Sequence, residues 1–405
     1  MRSKMIIFLL LTVSGFAFAQ KRFYKGNTHT HCFLKSIDIF DFSYTASKVV
    51  ANYKAKGYDF LVFTDHDNYW DASGLSTEDF IVLNGSEIGI YGINRSCHFT
   101  ALGIQSNILG IGATYQELLD AIVAQGGIAF LNHPRWAGYA HCSAKQVIND
   151  MKQNLFHVEV YTAGVDSLTK YDTSLWDSVL TTGRLMYGIA SDDSHKESDQ
   201  GRGWICVYAS SLHPDTLIYA IRNGNFYASN GIILEFIEYL PDRITVQSRN
   251  GTSIRFIGSG GKTLSTIDDA EATYMIQGGE EYVRAEISNT LNQTAWIQPY
   301  IIDTSTTDVE RSKWIGLPEA NLLYQNYPNP FNQSTTIRFS LLKSLFVSLK
   351  IYNFLGKEVN TLISEYRSAG EYEVEWNAED LPSGIYLYRL ETGDYVETRK
   401  LILQK

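Results

Sequence analysis

Beyond its first 20 residues the sequence has no run approaching the ~20 continuous apolar residues of a membrane-spanning helix, which excludes an internal span of that kind. It has no basic cluster either. With a formal net charge of -10 it would repel a phosphate-rich polymer, so neither nucleic acid nor an anionic membrane surface is expected as its main partner. Cysteine is scarce: Cys32, Cys97, Cys142 and Cys206 form no CxxC pair and are too few for the dense framework of a small disulfide-stapled domain. They read as buried thiols. One pairing, Cys32 with Cys97, is singled out because each adjoins a histidine of the candidate site.

What is present is enough apolar residue for more than one core. Of 405 residues, 44% are hydrophobic and 19% charged, so two or three domains are expected. At the start, Arg2 and Lys4 precede the apolar run Met5 to Leu11, and Ala17-Phe18-Ala19 supplies small residues at a cleavage position. Residues 1–19 therefore read as a secretory signal peptide, with export as its consequence.

From Phe23 to Gly231 strand-like apolar runs alternate with amphipathic segments, as expected of a parallel-sheet α/β domain or barrel. The run 59–63 follows a helical segment over 46–56, and the run 127–131 follows another over 115–125, with Gly57 and Gly126 as helix stops. Later strands are expected at 157–161 and 185–189, separated by a helix near 168–180. After Ile232 the helical period vanishes and short alternating strands take over. Past the prolines of Tyr327-Pro328-Asn329-Pro330-Phe331-Asn332 a third alternating region begins. The expected organisation is a signal peptide at 1–19, an α/β domain at 20–231, a small β-rich domain at 232–315, a linker at 316–334 and an all-β sandwich at 335–405, whose signature begins near 322.

Six of the nine histidines lie beside strand-like runs. His29 and His31 are two residues apart, so an extended backbone points both imidazoles to one side. Asp65-His66, Glu87, His133 and Asp193-Ser194-His195 each end or follow an apolar strand, and the strand C-termini of a parallel barrel converge on one mouth. His98 instead opens a strand. A hairpin turning through Gly92 to Asn94 brings it back toward Glu87. Imidazole and carboxylate without cysteine form a ligand set for zinc, manganese or iron, and so many donors exceed the needs of one ion. Two or three divalent ions are expected, with Glu87 able to bridge two of them. A bridging hydroxide near neutral pH then makes metal-assisted hydrolysis the expected chemistry. His141, His157 and His213 lack this setting and are assigned to surface or core.

These motifs, His-x-His, Thr-Asp-His, a lone Glu, Asn-His-Pro and Asp-x-His, resemble in type and order those of the PHP superfamily. The likeness runs from Lys25 to Gly231, and residues 201–231 resemble its CehA/McbA-type branch. The resemblance implies a distorted (β/α)7 barrel and a two- or three-metal centre held by His29, His31, His66, Glu87, His98, His133, Asp193 and His195. Asp65 enters as a ligand or as the group orienting one. Catalytic roles fall to Glu87, Asp65 and His98. Asp193 is preferred to Asp192 because only it gives Asp-x-His, and Asp38 stands where relatives carry a further acidic ligand. The implied substrate is a small-molecule phosphoester, with a carbamate or carboxyl ester as the alternative and a metal-stabilised binding module as the non-enzymatic one. Arg135, Trp136 and Arg202 are the main candidates to bind it, with Lys196, Trp70 and Tyr161 behind them. Residues 322–405 resemble the C-terminal sorting domain of the type IX secretion system, through the Tyr327–Asn332 motif, Ser383-Gly384-Ile385-Tyr386 and Lys400-Leu401-Ile402-Leu403. That likeness implies the type IX machinery as partner and a secreted or cell-surface destination.

Overall fold

Strand β1 (Arg22–Asn27) pairs in parallel with β2 (Phe60–Phe63), and β2 with β3 (Ile81–Ile88). The structure, a computed structural model, describes residues 22–89, 97–108, 114–136, 142–165, 170–240, 242–302, 322–326, 328–341, 345–367, 370–393 and 395–405. The expected signal peptide lies outside them, as do residues 316–321 and 327 of the expected linker. The helix between β1 and β2 is α1 (Ala46–Ala55), which starts because the Thr45 side chain accepts from the Lys48 N–H and which buries Val49 and Tyr53. Its counterpart α2 (Tyr115–Ala124) opens with a reciprocal Thr114/Glu117 capping box, buries Leu118, Leu119 and Ile122, and ends at Gly126, whose φ of 78° suits glycine.

The sheet is not uniformly parallel. Strand β4 (His98–Leu102) lies antiparallel between β3 and β5 (Ile128–Asn132), and parallel order resumes through β6 (Leu155–Thr162) and β7 (Tyr187–Ser191). On the other side β8 (Trp204–Ala209) runs antiparallel to β1 and pairs with β9 (Phe226–Ser229). Helices α3 (Ala144–Asp150), α4 (Thr173–Leu180) and α5 (Pro214–Arg222) complete this mixed α/β layer. Among the described residues no ladder joins β7 to β8, so hydrogen-bonded strands do not close the expected barrel. Between them sits the buried Asp192 carboxylate, which accepts the backbone N–H groups of Gly201, Arg202 and Gly203 at 2.7–2.8 Å.

Segment 232–302 continues the same sheet, because Thr294–Trp296 pairs with β9 and with Tyr282–Ser288. A three-stranded sheet of Leu234–Leu240, Arg243–Ser248 and Glu271–Met275 covers it over a core that includes Ile244, Val246, Ile254 and Phe256. Residues 21–317 form one compact unit and residues 318–405 belong to a second. In the second, three- and four-stranded sheets share a core. The alternating Ile337, Phe339 and Leu341 point into it, together with Val347, Leu349, Ile351, Trp376 and Tyr388. No helix among the described residues is long and apolar enough to cross a membrane.

Candidate metal centre

The local backbone explains why the donors converge. Asn27, at the end of β1, accepts the His29 N–H at 2.9 Å, and the backbones of Thr30 and Thr64 are linked, so the first two strand ends are held in step. His31 N–H donates to the Ser194 carbonyl at 3.2 Å, tying the turn after β7 to the turn after β1. His66 and Glu87 form an isolated parallel bridge. Antiparallel pairing places Ile88 opposite Phe99, which delivers His98 to Glu87, while His98 pairs with Asn132 beside His133. The turn of the expected hairpin lies outside the described residues; its two strands pair as expected.

Glu87 is fully buried and stands at the middle. Its Oε2 is 3.1 Å from His29 Nε2, 3.1 Å from His66 Nδ1 and 3.4 Å from His31 Nε2. Its Oε1 is 3.2 Å from His98 Nδ1 and 3.0 Å from His133 Nε2. Asp193 Oδ1 lies 3.2 Å from both His29 Nε2 and His31 Nε2, and 3.6 Å from His195 Nδ1. Three groups able to hold an ion result: His31, His66 and His195; His29, His31, Glu87 and Asp193; and Glu87, His98 and His133. All eight expected ligands are brought together.

The donor set fits divalent ions. An ion with bonds of about 2.0–2.1 Å to tetrahedral ligands holds them about 3.3–3.4 Å apart, and the pairs above, at 3.0–3.6 Å, lie close to that spacing. Among the described residues His66 Nδ1 has no hydrogen bond of good geometry, although it is buried 3.1 Å from Glu87 Oε2, so a shared cation suits the pair better than a shared proton. Among themselves the groups hold one another charged. Burial works to discharge His29, but Asp193, Glu87 and Glu159 raise it well above the usual imidazole range. Burial likewise opposes the charge on Glu87, yet His29 and His66 hold it well below the usual carboxylate range.

Asp38 joins the centre: its Oδ2 lies 2.9 Å from His66 Nε2 and 2.8 Å from His195 Nε2. Asp65 does not. Its Oδ1 accepts the Cys32 N–H at 2.8 Å and its Oδ2 accepts Trp70 Nε1–H at 2.7 Å, which places it as an orienter of the turn that carries His31 and outside the three groups. Trp70 is thereby occupied with Asp65. Trp136 stands its ring on edge to His133 at 5.1 Å, and Arg135 and Arg202 are exposed, as is Lys196. Arg202 approaches the centre through its backbone N–H on Asp192, next to Asp193. Tyr161 is buried against Tyr171 and Trp296. His157 packs in the core with Nε2 on the Ile221 carbonyl, His213 is exposed beside α5, and His141 lies outside the described residues.

The expected cysteine pairing is corrected. The disulfide joins Cys97 to Cys142 and leaves Cys32 and Cys206 free, because antiparallel β4 and β5 set His98 opposite Asn132 and the Cys142 N–H donates to the Pro134 carbonyl, two residues past Asn132, at 2.9 Å. The thiol of Cys32 instead faces Asp65. Sequence reasoning also missed Glu159, whose carboxylate touches His29; its only signal was a single acid inside the apolar strand 157–161.

No curated protein sequence matches the chain. Among solved structures, a two-domain protein from Bacteroides vulgatus ATCC 8482, containing a predicted PHP-like metal-dependent phosphoesterase, is similar at a TM-score of 0.36 and 13% identity, over 88% of this chain and 96% of that one. Dimeric latent PorU from Porphyromonas gingivalis is similar at a TM-score of 0.19 and 15% identity, over 44% of this chain and 20% of that one. The family model described as secretion system C-terminal sorting domain matches residues 325–404, and the chain carries that domain at its C-terminal end, as its sequence leads one to expect.

Proposed function

We propose that the chain is an exported metal-dependent hydrolase of the PHP type that cleaves a small-molecule phosphoester. Glu87 carries the reading. One acid with three imidazoles around one oxygen and two around the other is the arrangement that two adjacent cations need between them, and a structural single-ion site needs no such sharing. In the proposal the ligands are His29, His31, His66, Glu87, His98, His133, Asp193 and His195, with Asp38 beside His66 and His195. Two or three ions of zinc, manganese or iron held there supply Lewis acidity and a water acidic enough to act as nucleophile near neutral pH.

The chain's own groups then set the conditions. His29, His31 and Glu87 are fully buried, which excludes bulk water from one side, whereas the His195 side chain is 32% exposed and Asp38 39%, so substrate enters past this pair. Trp136 walls the His133 side. The exposed Arg135 and Arg202 suit an anionic phosphoryl group, since guanidinium pairs with its oxygens through paired N–H donors. The sorting domain gives the route, delivery by the type IX machinery to the cell surface or exterior.

The test is the metal content of the purified mature protein, followed by hydrolysis of a phosphomonoester, a phosphodiester and a carbamate ester. Two or more ions with metal-dependent turnover of a phosphoester are expected, abolished in His133→Ala. Turnover of the carbamate alone reassigns the bond, metal without any turnover replaces the enzyme with a binding module, and no uptake of zinc, manganese or iron overturns the reading.

A further inference from the structure

Glu159 lies in the middle of β6 between Val158 and Val160, and it is only 2% exposed. A buried acid is costly unless donors surround it, and four do. On Oε1 they are His29 Nδ1 at 2.9 Å and the Ser191 hydroxyl at 2.5 Å. On Oε2 they are the backbone N–H of His133 at 2.8 Å and the Thr162 hydroxyl at 2.9 Å. Among the described residues no lysine or arginine pairs with it.

The two oxygens do different things. Carboxylates face both ring nitrogens of His29, Glu159 at Nδ1 and Glu87 with Asp193 at Nε2; with a cation held between Nε2 and those two acids, the single proton of His29 sits on Nδ1, where Glu159 accepts it, and the Nε2 lone pair is left for the cation. The other oxygen anchors His133, whose φ of 25° few residues other than glycine adopt. That turn is what directs His133 Nε2 onto Glu87.

We infer that Glu159 is a positioning residue of the metal centre, aiming His29 in one ligand group and His133 in another. The inference rests on the proposed metal-dependent function and adds to it a residue that touches no ion. Its chemistry makes Glu159→Gln informative. The backbone N–H of His133 cannot reverse, so the amide must turn its oxygen there and present its NH2 to His29 Nδ1. His29 is then forced into the tautomer with its proton on Nε2, the nitrogen facing Glu87 and Asp193. The Ser191 and Thr162 hydroxyls can rotate to suit either arrangement. The amide side chain therefore fills the same volume as the acid while closing His29 to a cation.

The experiment is competition for zinc against a chromophoric chelator, using the wild-type mature protein and Glu159→Gln, with near-ultraviolet circular dichroism to compare their folds. Histidine ¹⁵N spectra of the zinc-loaded wild type report the His29 tautomer without any substitution. Zinc binding about 10- to 100-fold weaker in the folded variant is expected, as is a proton on Nδ1 of His29 in the wild type. Equal zinc affinity in both proteins, or a wild-type His29 carrying its proton on Nε2, overturns the role of Glu159 while leaving the hydrolase reading intact. A wild type that takes up no zinc, manganese or iron overturns both.

Discussion

The Asp192 carboxylate accepts the backbone N–H of Gly203 at 2.7 Å, joining the end of β7 to the start of β8 where, among the described residues, no strand ladder does. The approach needs glycine, since a Cβ at 203 would lie 2.3 Å from the Ser191 carbonyl oxygen. Asp192 also accepts from Asn27 Nδ2 at 2.6 Å and from the Tyr53 hydroxyl at 2.8 Å, so one side chain gathers β1, α1, β7 and the 201–203 turn. Asp192→Ala strands these donors in a buried site. It is expected to cost about 3 kcal/mol or more of stability, read as a lower midpoint in urea unfolding. A midpoint within error of wild type would remove Asp192 as the closing device.

Glu87 belongs to two of the three ligand groups and His195 to one. Their substitutions should therefore differ in the number of ions lost. Glu87→Gln is expected to bind at least one ion fewer than His195→Ala, measured by elemental analysis after equilibration with zinc. Equal stoichiometry in the two variants would contradict the sharing of Glu87. The comparison does not depend on knowing the substrate.

Cys97 directly precedes His98, and its bond to Cys142 closes a segment of sequence separation 45 that contains both His98 and His133. Loop closure over that length is worth up to about 4 kcal/mol by constraining the unfolded chain. The denatured, unreduced protein should titrate two thiols, those of Cys32 and Cys206. Cys142→Ser should lower the thermal midpoint. Four titratable thiols would show that the bond does not form.

Much of the centre was legible because strand periodicity places residues before any packing is known. The expectation that His98 returns to Glu87 required only an antiparallel hairpin, and the two strands pair that way. The choice of Asp193 over Asp192 followed from spacing, and the structure gives the two acids separate tasks. Asp65 was harder to place. Neighbours on an extended backbone point to opposite sides, so Asp65 turns to Cys32 and Trp70 while His66 faces Glu87. The Cys97–Cys142 pair and the closure at Asp192 depend on contacts between distant segments, which local pattern does not encode. Glu159 was hidden for a further reason: in a strand that alternates, one acid reads as a solvent-facing residue, whereas β6 is buried on both faces.

His157 supplies a pH prediction independent of the metal centre. It is buried among Phe130, Tyr187 and Phe226, with Nε2 on the Ile221 carbonyl and, among the described residues, no hydrogen-bond partner for Nδ1. Burial pushes it down to about 4 from its ordinary 6.5, with the Ile221 carbonyl opposing and Arg222 assisting. Between those values the unfolded chain takes up a proton that the folded chain refuses, so stability is full above about pH 6.5 and falls as the pH drops toward 4. The gap corresponds to about 3 kcal/mol. His157→Gln keeps a donor for the Ile221 carbonyl and has nothing to titrate. Its unfolding free energy, measured from pH 4 to 8, should lose about 3 kcal/mol less than the wild type does as the pH falls from 8 to 4. Parallel curves for the two proteins would mean that His157 accepts its proton in the folded state, and a neutral imidazole at this core position could not be upheld.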